Sequence, residues 1–136
     1  MPPSILFVCR HNACRSQIAE AIGRKLAPGS WIIDSAGAHP TEQVDPKAVE
    51  ILKLNGLKMR RSNPQGFPSL PLIRWDYVAD ISCEESGEKV PAKNYIEWDL
   101  PDPLDGPMDL YALLFRALED RISSLFNEIR KGSDVS

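Results

Sequence analysis

Cysteine, histidine and aromatic residues are all scarce in this 136-residue chain: three Cys, two His and 7% aromatics. Three dispersed cysteines, an odd number, argue against the disulfide framework of a small secreted domain. Excess positive charge is also missing. Sixteen Lys and Arg stand against nineteen Asp and Glu, interspersed, for a net charge of −3, so neither nucleic acid nor an anionic membrane is an expected partner. No apolar stretch approaches the roughly 20 residues of a membrane span. The opening MPPSILFV has neither the basic segment nor the length of a secretory leader. A reducing cytoplasm is the expected compartment. What the chain does have is 43% hydrophobic residues, enough for one core, and one domain over residues 1–136 is expected.

Ile5-Leu6-Phe7-Val8 is a continuous apolar run, as in a strand buried on both faces of a parallel sheet. From Ser16 the period changes. Ile18, Ile22 and Leu26 recur every four positions until Pro28-Gly29, which predicts a helix. WIIDSAG (31–37) reads as a second strand. Asp45-Pro46 then supplies an N-cap and a first-turn proline for a helix closing at Asn55-Gly56. The stretch from Lys58 to Pro71 lacks periodicity and reads as a long irregular excursion, over a site or over plain surface. WDYVADIS and NYIEWD read as two more strands, with Trp31, Trp75 and Trp98 as packing residues beside strands. Leu110, Leu114, Leu118, Ile122, Leu125 and Ile129 mark a long helix from about Met108 to Lys131. The expected fold is α/β: an open, mostly parallel four-stranded sheet flanked by helices on both faces. Ligands of such sheets bind beyond the carboxyl ends of the strands.

Cys9 stands at such an end. Residues 9–16 (CRHNACRS) join the first strand to a helix N-terminus, where backbone amides and the helix dipole favour an anion. Arg10, His11, Asn12, Ala13, Cys14 and Ser16 form the expected oxyanion-binding loop. A thiol in that position, beside a cation, is poised to react as a thiolate nucleophile. Arg15 offers a planar fork matched to two oxygens of a tetrahedral oxyanion and to their charge in an in-line displacement. Ser16 can donate its hydroxyl to the sulfur, and Asn12 can fix the loop. The bare Cys-x5-Arg spacing recurs by chance; the conjunction of buried strand, cysteine, loop, arginine, serine and immediate helix carries the functional reading. His11 and His39 do not stand at zinc-ligand spacing from Cys9 and Cys14, and a metal would quench the nucleophile. No metal or other cofactor is expected.

VCRHNACRSQIAEA resembles the signature loop of the low-molecular-weight protein tyrosine phosphatases and the related arsenate reductases. DSAGAHPTEQVDPKAVEIL resembles that family's second strand and following helix, and WDLPDP its late Asp-Pro. The resemblance covers nearly the whole chain. It implies Cys9 as nucleophile, Arg15 as binder of the oxyanion and transition state, Asn12 and Ser16 as loop organisers, Ser35 as a brace, and Asp102 as general acid. Asp-Pro is also a common turn dipeptide, and Asp99 is the alternative acid.

The departures bear on specificity. Members that act on phosphotyrosine usually follow the acid with aromatic residues; here Pro103-Leu104-Asp105 follows it, so a slot for an aryl ring looks poorly lined. RSQ and the segment Ala38–Ala48 lean toward the arsenate reductases. Thioredoxin-coupled members carry a downstream cysteine pair seven residues apart; this chain has Cys83 near the first position and Val90 at the second. Reduction would then need an external small thiol, or a different use of Cys14 or Cys83. Cys14 either pairs reversibly with Cys9 or simply fills the loop, and Cys83 is either a buried strand-end residue or a resolving thiol. Three functions stay open: hydrolysis of a phosphate monoester through a cysteinyl-phosphate, arsenate reduction with an external thiol, and a non-catalytic anion-binding regulatory module. The partners are correspondingly a phosphorylated substrate or an arsenate or phosphate oxyanion, with a thiol reductant in the second case.

Overall fold

In the computed structural model, which describes residues 2–82 and 90–132, the chain forms β1 (Ser4–Cys9), α1 (Arg15–Leu26), β2 (Ile32–Gly37), α2 (Pro46–Leu54), β3 (Trp75–Asp80), β4 (Ala92–Glu97) and α3 (Met108–Arg130). The strands pair in parallel in the order β2-β1-β3-β4. Strand order therefore reverses at β1, so the crevice that such sheets use for ligands opens at its carboxyl end. Cys9 is the last residue of that strand.

Alternation along β1 divides the core. Ile5, Phe7 and Cys9 pack with residues of all three α-helices, while Leu6 and Val8 pack with Phe67, Leu70, Trp75 and Val78 on the other side. The helical cover of that second face, among the described residues, is a 3-10 turn, Phe67–Ser69. Topology explains it. A right-handed return from β2 across β1 to β3 must pass over the face opposite α1, and the excursion of residues 58–71 makes that passage. It is thus a cover for the sheet, and its Gln65 also reaches the loop after β1.

The capping signals of α2 act as read: Asp45 accepts a hydrogen bond from the Lys47 amide at 2.9 Å, and Pro46 occupies the first turn. Two expectations shift. The fourth strand runs Ala92–Glu97 rather than from Asn94 to Asp99, because pairing with β3 begins at Trp75↔Ala92 and the Trp98 amide turns to the Asp80 carbonyl at 2.9 Å. Within α3, Leu110 is 45% exposed while Tyr111, Leu114, Phe115 and Leu118 are buried. A strict four-residue spacing drifts about 40° per step around a helix of 3.6 residues per turn, so the stripe that is buried at Leu118 has rotated off the core at Leu110. Trp98 packs near Phe7 and Trp31 against Tyr77 and Phe126. Cys83 lies outside the described residues. No helix among them is long and apolar enough to cross a membrane.

Candidate active site

The loop between β1 and α1 is held by its carbonyls. Ala38 N–H donates to Cys9 O (3.3 Å), His39 N–H to Arg10 O (2.7 Å), Thr41 N–H to His11 O (3.4 Å), Asp45 N–H to Ala13 O (2.9 Å) and Ile18 N–H to Cys14 O (2.9 Å). Gln17 Nε2 donates to Asn12 O at 2.8 Å. Six successive carbonyls are thereby anchored to the surrounding segments. The C=O and N–H of a trans peptide point in opposite directions, so the amides of residues 10–15 turn toward the concave side. That is an anion nest at a helix N-terminus.

Gly37 makes this close fit possible. A Cβ there would lie 2.7 Å from Asn12 N and 2.8 Å from Arg10 O, both backbone atoms. Gly37→Ala is expected to displace the loop, with a loss of about 1–3 kcal/mol of stability. Calorimetric melting, with inorganic phosphate titrated as ligand, checks it: the phosphate-induced rise in Tm should shrink along with Tm itself.

Asn12 is the internal tie. Its φ of 55° is left-handed, a region asparagine tolerates better than most residues. Its Oδ1 accepts from the Gln65 backbone N–H at 2.9 Å. A backbone amide can only donate, which fixes the orientation of the side-chain amide. Nδ2 therefore donates to Ser16 Oγ (2.7 Å) and Ser35 Oγ (3.0 Å). Ser35 in turn donates to Glu20 Oε1 at 2.6 Å. With its oxygen already accepting from Asn12, Ser16 has its own proton left for Cys9 Sγ, 3.0 Å away. Donation diverges from Asn12, through Ser35 to the buried carboxylate of Glu20 and through Ser16 to the sulfur, where it ends on a hydroxyl able to donate to a thiolate.

Glu20 is paired with Arg24 at 3.1 Å and with Arg60 at 3.3 Å. Asp34 is paired with Arg61 at 2.8 Å and accepts from Gln65 Nε2 at 2.8 Å. These ion pairs tie the excursion to the back of the loop. A buried carboxylate left without its partner typically costs 3–5 kcal/mol. Glu20, Gln65, Gln17 and Asp34 were not among the residues singled out from the sequence. For Glu20 a signal existed: an acid one turn after Ser16 on a helix otherwise rich in small and apolar residues. Gln65 sits in a stretch without period, and nothing local marks it.

The sulfur faces a recess of about 20 Å³ lined by Cys9, His11, Ala13, Cys14, Arg15, Asp102 and Leu104. Cys9 is 2% exposed. Arg15 Nη1 donates to the Leu100 carbonyl at 3.1 Å, and Nη2 lies 3.6 Å from Asp102 Oδ2. Asp102 Oδ1 accepts from the Leu104 amide at 3.0 Å, and its side chain is one-third exposed. Asp99 is exposed and outside the lining, as is the side chain of Arg10. Cys9 and Cys14 are both free thiols. Burial, then the nearby Asp45 charge, pushes the Cys14 thiol far above the ordinary thiol range. It is a neutral group. Asp45 also receives the hydroxyl of buried Tyr111, whose own ionisation burial and that carboxylate push up.

A parallel sheet with a cysteine at its reversal point, an amide nest and an arginine opening the following helix defines a class of oxyanion-handling proteins. Residues 4–135 match the family described as low molecular weight phosphotyrosine protein phosphatase, and the chain belongs to it. An arsenate reductase of Halalkalibacterium halodurans is 30% identical over 124 residues, covering 87% of this chain and 88% of the relative. The crystal structure of an arsenate reductase from Archaeoglobus fulgidus superposes with a TM-score of 0.79 at 30% identity, covering 91% of this chain and 99% of that one. The YwlE arginine phosphatase of Bacillus subtilis shares the fold, with a TM-score of 0.77 at 22% identity over 94% of this chain and 96% of its own.

Proposed function

We propose that the chain is a cysteine-dependent phosphatase that hydrolyses phosphate monoesters. The observation that carries this is one recess walled by Cys9, Arg15 and Asp102 together. The Cys9 thiolate attacks phosphorus and the ester oxygen leaves with the bonding pair, taking the proton of Asp102. The resulting Asp102 carboxylate then removes a proton from water, which attacks the cysteinyl-phosphate and releases inorganic phosphate and the thiolate. Arg15 and the amides of residues 10–15 hold the equatorial oxygens throughout. Arg15 releases Asp102 when the dianion arrives, because two phosphate oxygens match its fork better than one carboxylate oxygen at 3.6 Å. Arg15→Lys keeps the charge and loses the fork, and kcat/KM is expected to fall about 10²–10³-fold. Steady-state hydrolysis of para-nitrophenyl phosphate measures it.

Kinship to arsenate reductases favours a second reading. Arsenate would take the place of the ester, and Cys9 would form a thiol–arsenate adduct with loss of water. An external thiol would then attack the Cys9 sulfur, arsenite would leave with the electron pair, and a second thiol would regenerate Cys9 from the mixed disulfide. Two thiols are oxidised for one arsenate reduced. The chain carries Val90 where a second internal thiol would be needed, and that residue is buried among Leu6, Val8 and Trp75. Hydrolysis of para-nitrophenyl phosphate, run beside arsenate-dependent oxidation of glutathione on one preparation, separates the readings. Turnover of the ester alone supports the first, arsenite release alone the second, and inactivity in both a binding module.

A further inference from the structure

The recess at Cys9 measures only about 20 Å³, so the carbon part of any ester must lie outside it. Immediately beyond Asp102 lies a second concavity of about 230 Å³, between the acid-bearing loop and the first three turns of α3. Its walls include Leu100, Pro103, Leu110, Leu113 and Leu114, and Asp102 is the only polar residue in its lining. The two cavities share Asp102. Leu100 links them as well, since its carbonyl holds Arg15 and the residue lines the groove.

The groove rests on an exposed apolar stripe. Leu110 and Leu113 are 45% and 63% exposed, with Leu114 and Ala117 completing a helical i, i+3, i+4, i+7 face. Leu110 and Leu113 lie outside the core stripe of α3, while Leu114 and Ala117 stand at its edge and form the floor of the groove.

We propose that this groove binds the leaving group of the substrate, and that the preferred substrates are phosphate monoesters with an apolar, uncharged aryl or alkyl body. The inference rests on the hydrolytic reading above. A leaving oxygen must come within hydrogen-bond reach of Asp102 to be protonated, and the atoms attached to it then fall along the wall that Asp102 shares. A ligand there meets one polar group, a carboxylic acid, and otherwise hydrocarbon. That is the complement of an ester whose single bridging oxygen is its only polar atom beyond the phosphate. Size agrees: a benzene ring is accommodated in a cavity of about 150 Å³, which leaves room here for a short alkyl extension. A sugar or an acidic peptide flank would find neither hydroxyl partners nor a cation in this lining.

Binding and turnover test this separately. Linear alkylphosphonates from methyl to pentyl, titrated calorimetrically into the protein, should gain affinity by about fourfold per methylene over the first few carbons, the factor that corresponds to about 0.8 kcal/mol per buried CH₂. Leu113→Asp should flatten that series while inorganic phosphate keeps its affinity within about twofold. Ala117→Phe, which fills the groove, should do the same should the aspartate variant fail to fold. Among 4-alkylphenyl phosphates, whose phenols ionise alike, kcat/KM should rise with chain length in the parent protein and stay level in both variants. A flat phosphonate series in the parent protein overturns the inference even if esters are hydrolysed. A rising series without ester turnover keeps the apolar site but removes its role in leaving-group binding, and overturns the hydrolytic reading with it. Concentration-dependent dimerisation abolished by Leu113→Asp would instead make the groove a contact between copies, and would equally overturn it.

Discussion

Cys9→Ser is expected to remove phosphate-ester hydrolysis almost completely, by on the order of 10⁴-fold or more in kcat. The substitution is nearly isosteric at a position that is 2% exposed, and Ser16 remains 3.0 Å away to pair with the new hydroxyl. Nothing in the loop's six anchored carbonyls depends on the sulfur. What disappears is a soft sulfur nucleophile, replaced by a far less nucleophilic alcohol. The assay is para-nitrophenyl phosphate turnover beside a thermal melt of the same sample. Activity within a factor of ten of the parent, in a protein with an unchanged melt, would show that the sulfur does not attack.

Asp102→Asn is the second large effect, and its size should depend on the substrate. The amide can still accept from the Leu104 N–H that now fixes Oδ1, so the loop should keep its shape. It has no proton to give. For esters of poorly acidic alcohols, kcat should fall about 10²–10⁴-fold, the usual range for a lost general acid. For highly acidic phenols, which leave without protonation, the loss should be much smaller. A plot of log kcat against leaving-group pKa should therefore steepen in the variant. A uniform loss across the series would assign Asp102 to positioning Arg15, 3.6 Å away, and would reopen the choice of acid.

Much of the architecture was legible because it is written in local periodicity. The run Ile5–Val8, the change of period at Ser16 and the Asp45-Pro46 cap each reflect interactions within a few residues, and each element formed where its pattern stood. The fourth strand slipped because its ends are chosen by the partner strand rather than by its own residues. Leu110 misled because a repeat of four holds its face only briefly on a helix. The site divides the same way. Cys9, Arg15 and Ser16 sit within one loop and could be read together, and Asp102 came from resemblance rather than from any local signal. Gln65 was beyond reach because its contact with Asn12 spans 53 positions through a segment that has no repeat.

That span has a consequence for how activity would be lost. Asn12 to Gln65 and Arg15 to Leu100, 53 and 85 residues apart, are closures that cost chain entropy and that no neighbouring turn can replace. The excursion carrying Gln65 is joined to the rest by ion pairs at Arg60 and Arg61, by the hydrogen bonds of Gln65 and by a modest apolar patch, with no strand ladder of its own, so it should open before the sheet does. In mild urea, phosphate affinity is therefore expected to fade while far-ultraviolet circular dichroism still reports intact helices. A proteolytic nick near Arg61 should silence the protein just as quietly.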